Sequence, residues 1–206
     1  MKEAVFGVIL AGGNAARMGQ EKTLAPLSGR PVLAHVIARF APQVAALALN
    51  ANGDATRFAA FGLPVFDDGL ALKAERQGPV AGLLAALAQA RAQGYTLLAT
   101  VPGDAPFLPE QLVLHLQQGF GARDLVCLAS QQGQTEPLFG LWRCAALEPV
   151  QAAFAAGERS LHRVAALLPA TSASFDLPQD ADAFCNLNTP LDLAEAQARV
   201  LARAAG

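Results

Sequence analysis

Residues 4–10 (AVFGVIL) run without a break into residues 11–22 (AGGNAARMGQEK), and the reading of that junction decides the fold. The first run is short, almost wholly apolar and ends in glycines, which predicts a strand buried on both faces, the kind found at the centre of a parallel sheet. The loop that follows holds Gly12, Gly13 and Gly19, then Arg17 and Lys22. Glycines let a backbone pass close to a ligand and adopt positive φ, and successive N–H groups in such a loop form an anion-binding nest. Arg17 can fork onto phosphate oxygens and Lys22 can add a point charge. Strand, glycine loop and two cations together point to a polyphosphate ligand, although in isolation they also describe a solvated turn. No G-x-x-x-x-G-K-[ST] and no G-x-G-x-x-G after the first strand is present, which excludes a P-loop and argues against a dinucleotide fingerprint.

Outward from this junction, residues 45–50 (AALALN) and 96–101 (TLLATV) repeat the buried-strand pattern. Between them, residues 31–40 and 79–92 each open with proline at a first-turn position and carry apolar residues at helical spacing. Strands are predicted at 124–129 and 138–142, and helices at 148–155, 160–168 and 190–204. Alternating strands and helices imply an α/β chain with right-handed crossovers. No repeat or linker divides residues 1–206, so the expectation is a single three-layer α/β/α domain with a mostly parallel central sheet.

The second chemical segment is 101–109 (VPGDAPFLP), where Asp104 falls just past a buried strand on a loop stiffened by three prolines. Ligands of open parallel sheets bind outside the carboxyl ends of the strands, and a rigid carboxylate beside a polyphosphate suits Mg²⁺, which takes few protein ligands and fills its shell with phosphate oxygens and water. The competing reading makes Asp104 a cap for a helix starting near Pro109. Asn50 and Asn52 end another strand and could read a base or ribose; Asp67 and Asp68 follow a short apolar run; residues 78–82 (GPVAG) open a helix whose N-terminus favours phosphate. Each of these also has an ordinary turn or helix-start reading. Near the end of the chain, either Asn188 or Thr189 can cap the helix at Pro190; that leaves Asn186 open to a ligand role.

Composition narrows the partners. The 206 residues carry a formal charge of −2 and are 53% hydrophobic, which disfavours a nucleic-acid partner. No stretch is long and apolar enough for a membrane span and no signal-peptide pattern is visible. The three cysteines, Cys127, Cys144 and Cys185, have no metal-site spacing and read as reduced thiols, so a cytoplasmic location is expected. His35, His115 and His162 read as surface or packed residues and Trp142 as core.

Taken in order, the stretches LAGG-x₃-RMG-x₂-K (10–22), NAN (50–52), DD (67–68), GPVAG (78–82), PGDAPFLP (102–109), EPLFGLW (136–142) and FCNLNTPLDL (184–193) make the chain resemble the molybdenum cofactor guanylyltransferases. The resemblance spans nearly the whole chain. It implies a Rossmann-like, GT-A-like nucleotidyltransferase fold and Mg²⁺-dependent transfer of GMP from GTP to molybdenum-bound molybdopterin. It also implies contacts with molybdenum-insertion proteins and molybdoenzyme chaperones. By the same resemblance Leu10, Ala11, Gly12, Gly13, Lys22, Asn50, Asp68 and Asp104 contact the nucleotide, Asp104 holds the metal, and Arg17, Lys22 and Asp104 form the catalytic set. Gly82, Arg159, Asn186 and Asn188 are the acceptor-side candidates. Residues 1–109 would then serve mainly the nucleotide and 110–206 mainly the acceptor. The chain departs from the family at Gly103, often Cys there, and at Glu136, often His. Relatives that use CTP commonly read LAAG in the first loop, so LAGG favours guanine. Alternative readings are a cytidylyltransferase for the same pterin, a sugar-phosphate nucleotidyltransferase, and a non-catalytic nucleotide-binding regulator.

Overall fold

The computed structural model describes residues 3–12, 22–69, 78–177 and 181–204. Strand β1 (Val5–Leu10) is buried through Ile9, as its unbroken apolar run requires. After a two-stranded hairpin, β2 (Pro26–Leu27) and β3 (Arg30–Pro31), the other strands are β4 (Ala46–Asn50), β5 (Val65–Phe66), β6 (Leu97–Pro102), β7 (Val126–Gln131), β8 (Gln134–Arg143) and β9 (Ala170–Ser174). Seven of them form one sheet in the order β5-β4-β1-β6-β8-β7-β9. All its neighbours pair in parallel except β8, which runs antiparallel to both β6 and β7. The mostly parallel sheet expected from the sequence is therefore present, with one reversed strand inside it.

Helices cover both faces. On one side α1 (Val32–Phe40) and α3 (Leu112–Gly119) bury Leu33, Val36, Phe40, Leu112 and Leu116 against Ile9, Leu49 and Val101. On the other side α2 (Gly78–Ala92), α4 (Leu147–Ala155) and α5 (Leu161–Ala166) bury Leu83, Leu87, Val150 and Val164 against Val8, Leu98 and Trp142. At about 1.5–3 kcal/mol for each large side chain taken from water, these two apolar layers are the main favourable term of the fold. The Trp142 ring is fully buried and its Nε1–H donates to Thr100 Oγ1 at 3.3 Å, which satisfies the one polar atom of the indole. Helix α6 (Pro190–Ala204) packs apart from these layers, on a small cluster with Leu27, Val32, Phe107 and Leu187.

Three differences from the sequence reading have local causes. Strand β9 has no signal in the sequence, because ATSAS alternates exposed and half-buried small residues and lacks a large apolar anchor. β8 is longer than the apolar run 138–142, since its first residues are polar. The pairing of β7 with β8 jumps from Leu128↔Gly140 to Ala129↔Glu136, leaving residues 137–139 in a bulge. Pro137 has no N–H to give a ladder, so its place there is consistent with the bulge.

The segment ahead of α6 is pinned to the sheet by aromatic packing. Phe184 meets Phe139 edge-on at 4.7 Å between centroids and Phe175 at 5.4 Å. Phe184→Ala should cost about 3–5 kcal/mol, the range for truncating a buried aromatic, and should loosen residues 184–189. Chemical denaturation, together with amide exchange at Leu187, checks both; an unchanged midpoint with full protection at Leu187 contradicts this anchoring role.

Candidate active site

Four strands of the sheet end at the same level. Leu10 is in register with Asn50 on one side and Pro102 on the other, and Asn50 is in register with Phe66. Backbone bonds continue one residue further: Ala11 N–H to Asn50 O at 2.8 Å, Ala51 N–H to Phe66 O at 2.9 Å, and Gly103 N–H to Leu10 O at 3.0 Å. The chain then leaves the sheet at Gly12, Asn52, Asp67–Asp68 and Asp104. Sequence segments as far apart as Gly12 and Asp104 are so delivered to one rim, where open parallel sheets bind ligands.

On one part of this rim Asp68 is gripped by two amides. Asn50 Nδ2 donates to Asp68 Oδ1 at 3.0 Å, Asn52 Nδ2 donates to Asp68 Oδ2 at 2.7 Å, and the Asp68 N–H donates to Asn52 Oδ1 at 3.1 Å. Asn50 is itself buried and also donates to Phe66 O. The paired acids take different roles. Asp67 is exposed and accepts the Gly69 N–H, whereas Asp68 turns inward to the amides. Beside them a cavity of about 1140 Å³ runs between β5 and helices α2 and α4, lined by Phe66, Asp68, Leu84, Ala88, Leu147 and Phe154 among others. Its walls come from four separate stretches of the chain, 51–55, 65–69, 84–92 and 147–155, so no local pattern in the sequence announces it.

On another part of the rim, Asp104 and Lys22 meet the segment 184–189. Asp104 is half-buried, and burial pushes its carboxyl above the ordinary 3.8, while the nearby Lys22 ammonium opposes that rise. The Asp104 carbonyl accepts the Leu187 N–H at 2.9 Å. Lys22 Nζ donates to Asn188 Oδ1 at 2.7 Å. Asp104 caps no helix: α3 begins at Leu112, behind Gln111. The capping question at α6 is settled as well. Thr189 Oγ1 accepts the Asp192 N–H at 3.1 Å, and Asp192 Oδ2 accepts the N–H groups of Asn188 and Thr189 at 2.6 and 2.8 Å. Thr189 and Asp192 thus form a reciprocal cap, and the Asn188 side chain is left for Lys22. Among the described residues, Asn186 Oδ1 is buried without a partner, as is Thr23 Oγ1; buried oxygens of this kind are uncommon and call for an explanation.

The donor set suits a hard cation. Among the described residues no three His, Cys, Asp or Glu side chains gather to hold a metal by themselves. Asp104 therefore offers one carboxylate, as Mg²⁺ needs when phosphate oxygens and water complete its shell, and the unpaired Asn186 oxygen lies on the adjoining segment.

The remaining sequence candidates fall as follows. Gly13 and Arg17 lie outside the described residues. Among the described residues a Cβ at Gly12 would meet only Asn52 Nδ2, at 3.7 Å. Gly82 faces Asn50 rather than open space, since a Cβ would lie 2.7 Å from Asn50 Oδ1. Arg159 stacks on Phe154 at 3.8 Å and donates to Phe154 O and Glu158 O at 2.7 and 2.9 Å, with its own carbonyl against Gly78. At Gly103 a Cβ would lie 3.0 Å from Thr23 Cγ2, so Thr23 occupies the room a larger residue would take. Glu136 lies near the start of the reversed strand β8, paired with Ala129 beside the bulge, and burial raises its carboxyl pKa. His162 sits across from Thr135 Oγ1 at 3.1 Å and His35 meets Leu27 O at 2.9 Å. Cys127, Cys144 and Cys185 are free, and burial pushes the Cys127 thiol up to about 12.

Residues 7–173 match the family described as MobA-like NTP transferase domain. The chain belongs to this family. The MobA-like match covers the rim from Leu10 to Asp104, and relatives extend it further. A molybdenum cofactor guanylyltransferase of Cereibacter sphaeroides is 44% identical over 94% of this chain and 95% of its own. That of Rhodobacter capsulatus is 43% identical over 95% and 96%. Among solved structures, molybdopterin-guanine dinucleotide biosynthesis protein A from Archaeoglobus fulgidus superposes with a TM-score of 0.78 at 21% identity, over 96% of this chain and 99% of that one. This MobA-like protein is accordingly a nucleotidyltransferase of three-layer α/β/α fold.

The raised Asp104 carboxyl fixes the sign of a stability test. A folded-state pKa above 3.8 contributes stability that is complete below 3.8 and is lost as pH rises through the folded value. Asp104→Asn should therefore keep or raise the melting temperature at pH 7, with the gain shrinking toward pH 3.8. In metal-free protein, Lys22→Ala should move the Asp104 carboxyl still higher, because the opposing charge is gone. Thermal scans across pH and a carboxyl NMR titration read these out; a lower melting temperature at pH 7, or an unmoved Asp104, contradicts the electrostatics described.

Proposed function

We propose that this protein transfers GMP from GTP to molybdenum-bound molybdopterin, yielding the guanine dinucleotide cofactor and pyrophosphate. The observation that carries the reading is the single rim that holds Lys22, Asp104 and the amide-gripped Asp68, in a chain whose near-full-length relatives are named molybdenum cofactor guanylyltransferases. The terminal phosphate oxygen of the pterin attacks the α-phosphorus of GTP. The bond from that phosphorus to the bridging oxygen of the β-phosphate breaks, and the electron pair leaves with pyrophosphate. The nucleophile is already anionic, so the protein needs no strong base; it must position two anions and offset their charge.

In this proposal Lys22 and Arg17 hold the β- and γ-phosphates, and Leu10, Ala11, Gly12 and Gly13 let the nucleotide lie against the backbone. Asn50 and Asp68 hold the nucleoside part. Mg²⁺, held by Asp104, would neutralise charge on the α-phosphate and the leaving group. Residues 1–109 serve chiefly the nucleotide. The acceptor lies toward 110–206, near Asn186 and Asn188, with Arg159 at its border. Lys22, released from Asn188 by phosphate, would free that amide for the acceptor. Free thiols fit a cytoplasmic setting, and among the described residues no helix is long and apolar enough to cross a membrane. Molybdenum-insertion proteins and molybdoenzyme chaperones are the proposed contacts before and after the reaction.

Two measurements test this. Pyrophosphate release with molybdopterin, Mg²⁺ and each of GTP, CTP and ATP should show a clear preference for GTP in kcat/KM. Gly12→Ala should erode GTP use more than CTP use. Among the described residues the added methyl meets only Asn52 Nδ2, at 3.7 Å, so the loss is expected at the nucleotide. Asp104→Asn should lower turnover by about 10³-fold, the equivalent of roughly 4 kcal/mol of charge stabilisation. A preference for CTP would overturn the base assignment, and near-normal turnover of Asp104→Asn in saturating Mg²⁺ would overturn the metal site.

A further inference from the structure

The grip on Asp68 has more parts than a nucleotide contact requires. Each carboxylate oxygen receives one amide N–H, from Asn50 at 3.0 Å and from Asn52 at 2.7 Å. Asn52 closes a ring with the same residue, accepting the Asp68 N–H at 3.1 Å while donating to its carboxylate. Its amide is thus engaged with Asp68 through both its nitrogen and its oxygen, although the residue stands at the surface. Asn50, in contrast, is 2% exposed and ends a central strand. Its Nδ2 points to Asp68 and Phe66 O, which turns its Oδ1 toward α2.

At that contact α2 carries Gly82, and a Cβ there would stand 2.7 Å from Asn50 Oδ1 and 3.4 Å from Leu10 Cδ2. Glycine is a poor helix former, so an interior helical glycine needs a reason. Here the reason is room: Asn50 cannot retreat without giving up its bonds to Asp68 and Phe66. We propose that Asn52 is a positioning residue for Asp68, and Gly82 a positioning residue for Asn50, so that the Asp68 carboxylate is presented to the nucleotide in a single orientation. Neither acts by touching the ligand. Asn52 acts through Asp68, and Gly82 through Asn50. This assigns Gly82 to the nucleotide side of the site, and it rests on the reading of Asp68 as a nucleotide contact.

The test is a double-mutant cycle on GTP affinity, measured by calorimetry with Mg²⁺ present, with circular dichroism to confirm folding. Asn52→Ala should weaken GTP binding about tenfold in the natural chain, within the range of coupled neighbours. Asp68→Ala should weaken it at least as much, and Asn52→Ala added to Asp68→Ala should cost nothing further. Gly82→Ala should also weaken binding about tenfold, against the direction of helix propensity, and should cost nothing further once Asn50→Ala has removed the crowded side chain. If the losses of Asn52→Ala and Asp68→Ala multiply, Asn52 contacts the ligand independently and the relay is overturned. If Gly82→Ala binds GTP as the natural chain does, its positioning role is overturned. An Asp68→Ala chain with unchanged GTP affinity would instead overturn the nucleotide role of Asp68 itself, and the relay with it.

Discussion

Everything at the rim depends on four parallel strands stopping together. A parallel ladder uses up backbone donors and acceptors until the strands end, and only there can the chain turn its polar groups to a ligand. Leu10, Asn50, Phe66 and Pro102 lie in one row across the sheet. The next one or two residues of each strand are therefore the ones available for chemistry. Side chains alternate between faces along a strand, so a slip of one residue in any pair would send its apolar set to the wrong helix layer. The two apolar layers, with Ile9 and Leu49 in one and Val8 and Ala48 in the other, hold the register. The site inherits its precision from hydrophobic packing that never touches a ligand.

The other side of the rim is built differently. Residues 184–189 belong to no strand or helix, yet they are held at several points by unlike forces: ring packing at Phe184, a backbone bond at Leu187, and a side-chain bond from Lys22 to Asn188. The reciprocal cap of Thr189 and Asp192 then starts α6 and sets the direction in which the segment leaves. An irregular segment can hold a geometry when each of its few contacts is satisfied. Two of the three buried side-chain oxygens left without partners among the described residues, on Thr23 and Asn186, stand where such satisfaction is incomplete.

The parallel core was legible in the sequence because buried parallel strands have an unmistakable composition. VFGVIL, ALALN and LLATVP hold almost nothing that needs water, and each ends beside the residues that were singled out as chemical. The edge strand ATSAS was not legible, because a half-exposed edge places no demand on side-chain size. Asp104, Lys22, Asn50 and Asp68 stand out as candidates by motif and position, and the fold brings their segments to one rim. What could not be read was which partner each would choose. Asn188 and Thr189 are equivalent as caps on paper, and only the fold gives Thr189 to the helix and Asn188 to Lys22. Likewise Gly82 looks like part of a phosphate-favouring helix start until Asn50 is seen against it. Choices of this kind lie in packing between distant segments, to which a local pattern is blind.

The bond from Lys22 to Asn188 joins positions 166 residues apart. A chain emerging from the ribosome presents the whole row of strand ends once Pro102 has appeared, but the ammonium of Lys22 has no amide to meet until the final helix begins. The two sides of the rim are therefore separated in time as well as in sequence. During synthesis all four strand-end segments are made before the segment that faces them in the folded chain.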